Sequence, residues 1–442
     1  MNRRDFLSSA GIAGLPLVAG CGEQLQSFET ILPEGTRELA GMTLPALRRR
    51  YHADLFDSVL PFWDKHGIDR DHGGILCFLD YDGTCVDSNK FLWFQGRGIW
   101  IYSYLYNHFG KDPHHLEAAR TIKDFVVNNA PQADGWWAEL LSREGKVLRP
   151  FTGDVYGMYF VAEGMQEYAK AAKDEEALET ALGIVKKLRS FIDQPDFHHP
   201  GTPRPGVRPQ GFWMVNLRIA TQLLSEMDDP EISALADQCL EAIVEKHYNP
   251  EIGLNNELLN FDFSRVEGEE RKSLFGHSIE NLWMVMDEAL RRDDETLWNL
   301  CAERIRRHLE VGWDHVFGGL IHMVNVDGGG YEWPPDRPVG TDYEFSFIGE
   351  YHYMKAMWAL TEVLVATMNV FERNGAEWAS RFFSLAQESI DSQFTPKEEG
   401  IAGYILFGDR QVTRHEHVAR QDNYHPPRQL MLNIQSLDRM IG

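Results

Sequence analysis

His277 and Glu280 are the first pair of residues whose types and spacing suit acid–base chemistry. They are three residues apart in the segment 275–283, so a helix would place them on one face. A carboxylate beside an imidazole can orient the ring or hold its charged form. A capped helix start explains the same pair, so the spacing alone does not decide between the two roles.

His425 and Arg97 are the next candidates. Two prolines follow His425 in the segment 423–428 and fix the backbone at a loop–helix junction, which suits an acid or base. A Pro-stiffened connection explains that segment nearly as well. Arg97 lies near the start of a predicted helix in the segment 90–100, where a forked guanidinium can hold an anionic oxygen. Taken alone, Arg97 fits a structural ion pair at least as well.

Lys355 and Glu362 belong to a further polar segment, 351–362. They are seven residues apart, so a helix would place them on one face, either in a site or in a solvated salt-bridge face. None of the five cysteines forms a CxxC pair, and zinc-binding spacing is absent from the sequence. We therefore predict no metal site. Apart from Cys21, the cysteines are expected to be buried free thiols.

Helical periodicity describes most of the chain that must position these residues. The 442 residues are 43% hydrophobic and 25% charged, which is an ordinary globular composition. From about residue 44 onward the apolar spacing predicts about twelve helices, with starts at Asp112-Pro113 and Asp229-Pro230. A short β-hairpin is predicted within 73–86. We predict an all-α toroid of six helical hairpins with short β-hairpins in its loops, forming a single domain over 41–442.

The N-terminal residues predict export. Arg3-Arg4 and a short apolar stretch over 10–19 are typical of a twin-arginine signal peptide. Residues 1–21 end in a lipobox-like sequence, so we predict lipidation of Cys21, a tether over 22–40, and a periplasmic or cell-surface lipoprotein in a bacterium. A plain cleaved signal is the alternative. A lipid at Cys21 would be the only membrane anchor, and the net charge of -24 argues against nucleic-acid binding.

Taken together, the polar segments resemble the N-acylglucosamine 2-epimerase family, which also contains cellobiose 2-epimerases and mannose isomerases. The resemblance covers most of 45–440, and the run 73–100 is its most specific stretch. Asp314, the glycines at 318–319 and the pair 327–328 resemble the family's late hairpin. The resemblance implies an (α/α)6 barrel, in agreement with the helix count.

The resemblance also implies proton chemistry at the carbon beside a sugar carbonyl. His277 and His425 match the family's acid/base histidines, Glu280 matches the carboxylate that supports the first, and Arg97 matches an arginine near the substrate oxygens. The resemblance implies a mono- or disaccharide substrate and a reaction without a metal or redox cofactor. It also allows a homodimer. The implied substrate-binding residues are Lys90, Trp93, Gln95, Trp358, Glu362 and Arg428.

Two departures from the family bear on the sugar. The segment 211–217 contains no histidine, whereas cellobiose epimerases and mannose isomerases carry one on that helix, so the chain is closer to the N-acylglucosamine epimerases there. Met357 replaces a family tryptophan. We therefore predict a 2-epimerase acting on an aldose or N-acylhexosamine of the N-acetylglucosamine/N-acetylmannosamine type. The alternatives are an aldose–ketose isomerase or a cellobiose 2-epimerase on the same scaffold.

Two rival functions stay open at this stage. α/α barrels also host glycoside hydrolases and lyases, which usually need two acidic residues beside the scissile bond. Asp154, Glu257, Asp342 and Glu344 are candidates for that role. The other rival is a non-catalytic sugar-binding lipoprotein.

Overall fold

The computed structural model describes residues 38–326, 329–330, 354–395, 405, 407–408, 410–412 and 416–442. The described residues contain twelve α-helices of ten or more residues. They are α1 Leu44–Ala53, α2 Leu92–His108, α3 Pro113–Asn129, α4 Tyr156–Ala172, α5 Glu175–Ile192, α6 Gln210–Leu224, α7 Pro230–Leu240, α8 Phe275–Arg292, α9 Glu295–Gly312, α10 Met357–Asn374, α11 Glu377–Ser389 and α12 His425–Ile441.

Six of these helices form a closed inner ring. Each of α2, α4, α6, α8, α10 and α12 packs against the next, and α12 returns to α2. The other six form an outer layer, in which α3, α5, α7, α9 and α11 each pack on the inner helix that precedes them and α1 packs on α12. This arrangement confirms the predicted all-α fold as an (α/α)6 barrel.

Short antiparallel strands occupy the connections. They are β1 Glu38–Leu39, β2 Met42–Thr43, β3 Phe78–Leu79, β4 Cys85–Asp87, β5 Lys90–Phe91, β6 Leu140–Leu141, β7 Val147–Arg149, β8 Val207–Pro209, β9 Tyr248–Asn249, β10 Leu254–Asn255, β11 Leu258–Asn260, β12 Lys272–Leu274, β13 Met323–Asn325, β14 Gly329–Gly330, β15 Lys355–Ala356 and β16 Phe407–Gly408. They form the sheets β1-β2, β3-β4, β5-β6-β7, β8-β11, β9-β10, β12-β13-β14 and β15-β16. Strands β5, β8, β12 and β15 run directly into inner helices, so these connections gather at one end of the barrel.

The two layers begin their helices differently. Asp112, Asp174, Asp229 and Asp294 cap the outer helices α3, α5, α7 and α9, each accepting a hydrogen bond from a backbone N–H of the first turn. The predicted starts at Asp112-Pro113 and Asp229-Pro230 are thereby confirmed. The N-cap residues of the inner helices form no side-chain cap, although Asp154 and Asp422 each accept a hydrogen bond from the first backbone N–H of α4 and α12. The other N-terminal N–H groups add positive potential at the end of the barrel where the strands gather.

Two buried aspartate–lysine pairs fix two of these strand-to-helix junctions. Asp69 Oδ2 accepts a hydrogen bond from Lys90 Nζ at 2.9 Å, and Asp314 Oδ2 lies 3.2 Å from Lys355 Nζ. All four side chains are fully buried. An arginine from a later loop pairs with each aspartate, and two glycines with positive φ follow each aspartate at the same spacing. The barrel thus uses one local design twice, at β5–α2 and at β15–α10.

Some sequence expectations needed correction. In the polar segment 351–362 the helix begins only at Met357, because Lys355 and Ala356 form β15; residues 351–353 lie outside the described residues. Lys355 therefore does not share a helix face with Glu362. Cys77, Cys239 and Cys301 are buried free thiols as predicted, but Cys85 is exposed.

The predicted signal peptide, Cys21 and the tether up to residue 37 lie outside the described residues. Within the described part of the chain, every helix is too short or too polar to cross a membrane.

Candidate active site

Two histidines and a tryptophan meet at the end of the barrel where the inner helices begin. His277 lies in the first turn of α8, Trp358 in the first turn of α10, and His425 is the first residue of α12. The centroid of the Trp358 ring is 5.3 Å from that of His277 and 5.6 Å from that of His425. Three consecutive inner helices therefore bring the two predicted acid/base residues to one aromatic side chain.

His277 forms a dyad with Glu257, a residue from the connection before β11. His277 Nδ1 lies 3.0 Å from Glu257 Oε1, while Glu257 Oε2 accepts a hydrogen bond of 2.7 Å from Gln210. Burial lowers the pKa of His277, but the carboxylates of Glu257 and Glu280 outweigh it, so the pKa is raised above its ordinary value. The charged imidazolium is therefore favoured, and Nε2 is the nitrogen left for a substrate.

His425 forms the second dyad, with Asp422. His425 Nδ1 lies 2.6 Å from Asp422 Oδ2, and Asp422 Oδ1 accepts hydrogen bonds from the backbone N–H groups of Tyr424 and His425 at 2.9 and 3.1 Å. Burial raises the pKa of Asp422, but His425, these hydrogen bonds and Arg97 outweigh it and hold the pKa far below its ordinary value. Asp422 is therefore an ionised acceptor that orients the imidazole and again leaves Nε2 for a substrate.

Arg97, on α2, is enclosed by aromatic rings. Its guanidinium carbon lies 4.0 Å from the ring centroid of Phe160, 4.7 Å from that of Tyr424 and 5.4 Å from that of Trp93. Its Nε is buried without a hydrogen-bond partner among the described residues. Burial lowers the pKa of Arg97 while Asp422 and Tyr424 oppose it, yet a guanidinium stays protonated in any case. The site thus holds a fixed positive charge whose donors are not taken up by a carboxylate of the described chain.

Comparison with known proteins identifies the family to which the sequence belongs. The sequence profile of the N-acylglucosamine 2-epimerase family (GlcNAc 2-epimerase) matches residues 73–427. The chain belongs to this family. It is 25% identical over 374 residues to the N-acylglucosamine 2-epimerase of Mus musculus, covering 81% of this chain and 84% of the mouse protein. It is 23% identical over 269 residues to the cellobiose 2-epimerase of Dictyoglomus turgidum, covering 57% and 68%.

A solved structure agrees with this membership at the level of the fold. The cellobiose 2-epimerase from Bacillus thermoamylovorans superposes with a TM-score of 0.73 at 15% identity, covering 89% of this chain and all of that one (100%). The protein is therefore an isomerase, a sugar 2-epimerase, as the sequence predicted.

A buried arginine organises the charges beneath the two dyads of this epimerase. Arg428 Nη2 donates to Glu280 Oε1 at 2.6 Å and to Glu362 Oε1 at 2.7 Å, and Glu362 Oε2 accepts a 2.8 Å hydrogen bond from Trp283. Burial raises the pKa of Glu280, but Arg428 outweighs it and the net pKa is lowered; for Glu362 burial prevails and the pKa is raised. The side chains of Arg428 and Glu362 are 1% and 0% exposed, so the structure places both in a support beneath the site, whereas the sequence predicted sugar contacts for them.

The predicted role of Glu280 is also corrected. Glu280 was expected to orient His277, but the imidazole hydrogen-bonds Glu257, and Glu280 is held by the guanidinium of Arg428. A charge-assisted hydrogen bond to an arginine is strong enough to fix the carboxylate there. Glu280 acts on His277 only through its charge.

Glu280, Glu362 and His425 also form a group that could hold a metal ion. One ligand atom from each lies within 4.8 Å of the other two. Arg428 Nη2 already bridges the two carboxylates at hydrogen-bond distance, so a guanidinium supplies the positive charge at that point.

The polar atoms of Lys90 and Gln95 are likewise bound by other protein groups. Lys90 Nζ donates to Asp69, to the carbonyl of Gly73 and to that of Arg143, and its side chain is fully buried. Gln95 accepts from the backbone N–H of Ile75 and donates to its carbonyl, both at 2.8 Å. Both residues hold the 73–76 segment against the barrel, whereas the sequence predicted sugar contacts for them.

Trp93 and Trp358 do reach the site. Trp93 Nε1 donates to Asp154 at 3.1 Å, and the Trp93 ring packs edge-on against Tyr156 and Phe160. This gives an aromatic wall across α2 and α4, beside Arg97. The two hydrolase candidates within the described residues are both engaged, Asp154 with Trp93 and Glu257 with His277; Asp342 and Glu344 lie outside them.

Sequence reasoning missed three functional neighbours. Asp422 is three residues before His425, so the spacing rule that was applied to His277 would have found it. Glu257 is far from His277 in sequence and was considered only as a hydrolase acid. His322 packs edge-on against Trp358 with ring centroids 6.2 Å apart, and burial lowers its pKa to about 4, so it is neutral near pH 7. No motif marks it.

Proposed function

We propose that the enzyme epimerises an aldose or N-acylhexosamine of the N-acetylglucosamine/N-acetylmannosamine type by proton transfer between two histidines. One observation carries this proposal: His277 and His425 both present Nε2 after binding a carboxylate through Nδ1, and both flank Trp358. Inversion at one carbon requires removal of a proton from one face and its return to the other. Two such dyads meet that requirement.

The charges of the two dyads suggest which histidine acts first. Because Glu257 and Glu280 favour the imidazolium of His277, this residue starts as the acid and His425 starts as the base. His425 takes the proton from carbon 2, and the electron pair of that C–H bond moves into the carbon 1–carbon 2 bond as the carbonyl oxygen becomes an enolate oxygen. The intermediate is an enediolate for an aldose and an enolate for an N-acylhexosamine. His277 then delivers its proton to the opposite face of carbon 2 as the carbonyl re-forms. The reverse reaction exchanges the two roles.

Arg97 is suited to the developing oxyanion. Its donors are not spent on a carboxylate of the described chain, and its position among three aromatic rings limits water around it. A preorganised donor in such a setting lowers the barrier more than it would in bulk water. The N-terminal N–H groups of the inner helices add positive potential at the same end of the barrel.

The class of sugar is supported by an aromatic wall and by the named relatives. Trp93, Tyr156 and Phe160 form a continuous series of ring contacts on α2 and α4, and the fully buried Phe212 of α6 packs against Tyr156. Asn216, one turn below, is buried and donates to Tyr159 and to the carbonyl of Phe212. Such a wall suits the apolar face of a sugar ring or an acyl methyl group. The mouse relative named as an N-acylglucosamine epimerase matches a larger share of the chain than the cellobiose epimerase does.

Proton exchange in D₂O tests the proposal. The folded protein is incubated with N-acetylglucosamine, N-acetylmannosamine, glucose, mannose and cellobiose, and NMR follows the hydrogen at carbon 2. We expect deuterium at carbon 2 together with the 2-epimer of at least one sugar. Formation of a ketose would identify an aldose–ketose isomerase instead, and no exchange with any of these sugars would contradict the proposal.

Alanine variants test the two histidines. His277→Ala and His425→Ala are each expected to lower turnover by ~10²–10⁴ while the far-ultraviolet circular dichroism spectrum is unchanged. Near-normal turnover in either variant would refute its assigned role. A non-catalytic sugar-binding protein would bind the same sugars without exchange at carbon 2.

We also propose that the chain is exported by the twin-arginine route and anchored by a lipid on Cys21, in the periplasm or at the cell surface. The paired arginines, the short apolar stretch and the lipobox-like residues before Cys21 support this proposal. Fractionation of cells that express the full chain or Cys21→Ala tests it, since only the parent is expected in the membrane fraction. The family resemblance also supports a homodimer, which light scattering of the purified protein tests.

A further inference from the structure

A second cavity lies beside the barrel, away from the face of the two histidines that a sugar would meet. It has a volume of about 250 Å³ and lies between the outer helices α1 and α11 and the inner helices α10 and α12. Its lining includes Gln421, Asp422, Gln429 and Pro426 on one side and Arg50 on the other. We call it the side cavity. Since Asp422 is also the partner of His425, the side cavity reaches the rear of the second dyad.

Two buried amides give the side cavity unused hydrogen-bond donors. Gln421 and Gln429 are 2% and 5% exposed, and the side-chain nitrogen of each has no hydrogen-bond partner among the residues that the structure describes. A buried donor left unpaired destabilises a fold, so such groups in native proteins usually meet water or a ligand. Both amides line the side cavity, which is large enough to hold a small molecule that carries hydrogen-bond acceptors.

The opposite wall supplies acceptors and an aromatic surface. Asp391 pairs with Arg50 and accepts a 2.9 Å hydrogen bond from Gln387, and Asp54 lies on the same wall. Phe62 and Trp63, which meet edge to face with ring centroids 5.5 Å apart, complete it. Amide donors, carboxylate acceptors and aromatic rings together match a molecule that both donates and accepts hydrogen bonds and has an apolar face.

Charge narrows the class of ligand. The carboxylates of Asp54, Asp391 and Asp422 disfavour an anion, while Arg50 and the two amide groups disfavour a bare cation. A neutral polyhydroxylated molecule meets neither penalty, because each hydroxyl can donate to a carboxylate and accept from an amide.

We propose that the side cavity is a second, non-catalytic binding site for a small neutral polyol, such as a free monosaccharide or a sugar alcohol. The same turn of chain forms its wall and holds the dyad: Gln421 precedes Asp422, and Asp422 Oδ2 lies 2.6 Å from His425 Nδ1. A ligand that hydrogen-bonds this turn changes the position or the hydrogen bonding of Asp422 and so alters turnover. The effect on turnover rests on the proposed epimerase function, whereas binding in the side cavity does not.

Sorbitol is the first probe because it lacks a carbonyl group and is not a substrate for carbon-2 exchange. Isothermal titration of the full chain measures its binding, and initial rates at several sugar concentrations measure its effect on kcat and KM. We expect sorbitol to change kcat by about two-fold or more without an equal change in KM. Competition with the sugar alone, seen as a change in KM at constant kcat, would overturn the proposal.

Ser58→Phe is the test variant, because Ser58 is an exposed residue that lines the side cavity and touches neither dyad. A phenyl group there fills the cavity without disturbing the core. We expect it to abolish the heat of sorbitol binding and the change in kcat, with basal turnover within about two-fold of the parent. Ser190→Phe, at an exposed position on α5, is the matched control and should respond as the parent does. Equal responses of parent and Ser58→Phe would overturn the proposal.

Further arms identify the source of the ligand and separate the two proposals. If kcat responds to sorbitol and glycerol alone, the ligand of the side cavity is a general polyol. If kcat changes at high N-acetylglucosamine and Ser58→Phe removes that change, the ligand is the substrate itself. If none of the sugars is epimerised, the titrations still decide whether the site exists. If sugars are epimerised but no side-cavity binding is lost in Ser58→Phe, only the side-cavity proposal fails.

Discussion

Replacing Glu257 by glutamine removes one negative charge beside His277 and keeps the shape of the side chain. The glutamine oxygen can still accept from Nδ1–H, so the ring keeps its orientation while the imidazolium loses its partner charge. Opposite charges about 4 Å apart attract by about 4 kcal/mol at an effective dielectric constant of 20. The His277 and Glu257 side chains are 29% and 15% exposed, so solvent reduces this value. Loss of the Glu257 charge therefore lowers the pKa of His277.

The direction of the expected change follows from the role of His277 as the acid. Its pKa in the folded enzyme is raised, so the parent keeps the required proton to higher pH than an isolated histidine would. In Glu257→Gln the proton is lost at lower pH, so the alkaline limb of kcat/KM should move to lower pH. Well below that limb the rate should fall by less than about ten-fold, because the geometry is retained.

The assay is the pH profile of kcat/KM for the parent, Glu257→Gln and two further variants. Glu267→Gln changes an exposed carboxylate in the same connection and should leave the profile unchanged. Glu280→Gln tests the original sequence prediction directly. If Glu280→Gln moves the alkaline limb by more than Glu257→Gln does, or if the limb of Glu257→Gln stays in place, the reasoning from the observed hydrogen bond is refuted.

Three further predictions concern the oxyanion, the tryptophan and the buried ion pairs. Arg97→Lys keeps the charge but loses the forked donors, so kcat/KM should fall by about 10²–10³ with unchanged circular dichroism; a loss below about three-fold would contradict the assigned role. In Gly276→Ala the new Cβ would lie 2.4 Å from the Trp358 ring, so kcat should fall, whereas Gly183→Ala meets no atom within 4 Å and should not lower it. Asp314→Asn should lower the free energy of unfolding by about 3–5 kcal/mol at pH 7. Burial raises the pKa of Asp314, but its arginine and lysine partners lower it more, so its folded-state pKa lies below the unfolded value of about 4. The stabilisation is therefore lost as the pH falls from about 4 through the folded-state pKa. The difference in free energy of unfolding between the parent and Asp314→Asn, measured in urea, should shrink in that range, and a constant difference would contradict the argument.

The fold was predictable because its signals are local and repeated. Apolar residues at helical spacing recur in pairs, and Asp-Pro starts mark outer helices such as α3 and α7. Six such pairs leave few ways to bury every apolar face other than a closed ring. The exception was the start of α10, where Lys355 has helix-compatible neighbours but is drawn into a strand by a buried partner, Asp314, that is distant in sequence.

The partners in the active site were harder to predict, because long-range pairing leaves no periodic signal. Glu257 reaches His277 only because β11 pairs with β8 and brings the preceding residue over the start of α8. The pairing of Glu280 with Arg428 likewise joins two inner helices, α8 and α12. Residue type identified these side chains as chemically capable, but only the packing of the barrel shows which of them meet.

Helix geometry explains which of the predicted contact residues face the site. Trp93 and Arg97 are four residues apart on α2 and both face the site, whereas Gln95 lies between them on the other side of the helix and binds Ile75. The helical period alone therefore separates Gln95 from Trp93 and Arg97. It does not separate Glu280 from His277, because the two share a face; Glu280 lies one turn deeper along the barrel axis, where Arg428 holds it. Periodicity defines the face of a residue, while its depth along the axis, which decides between touching the sugar and supporting the site, depends on the opposing helices.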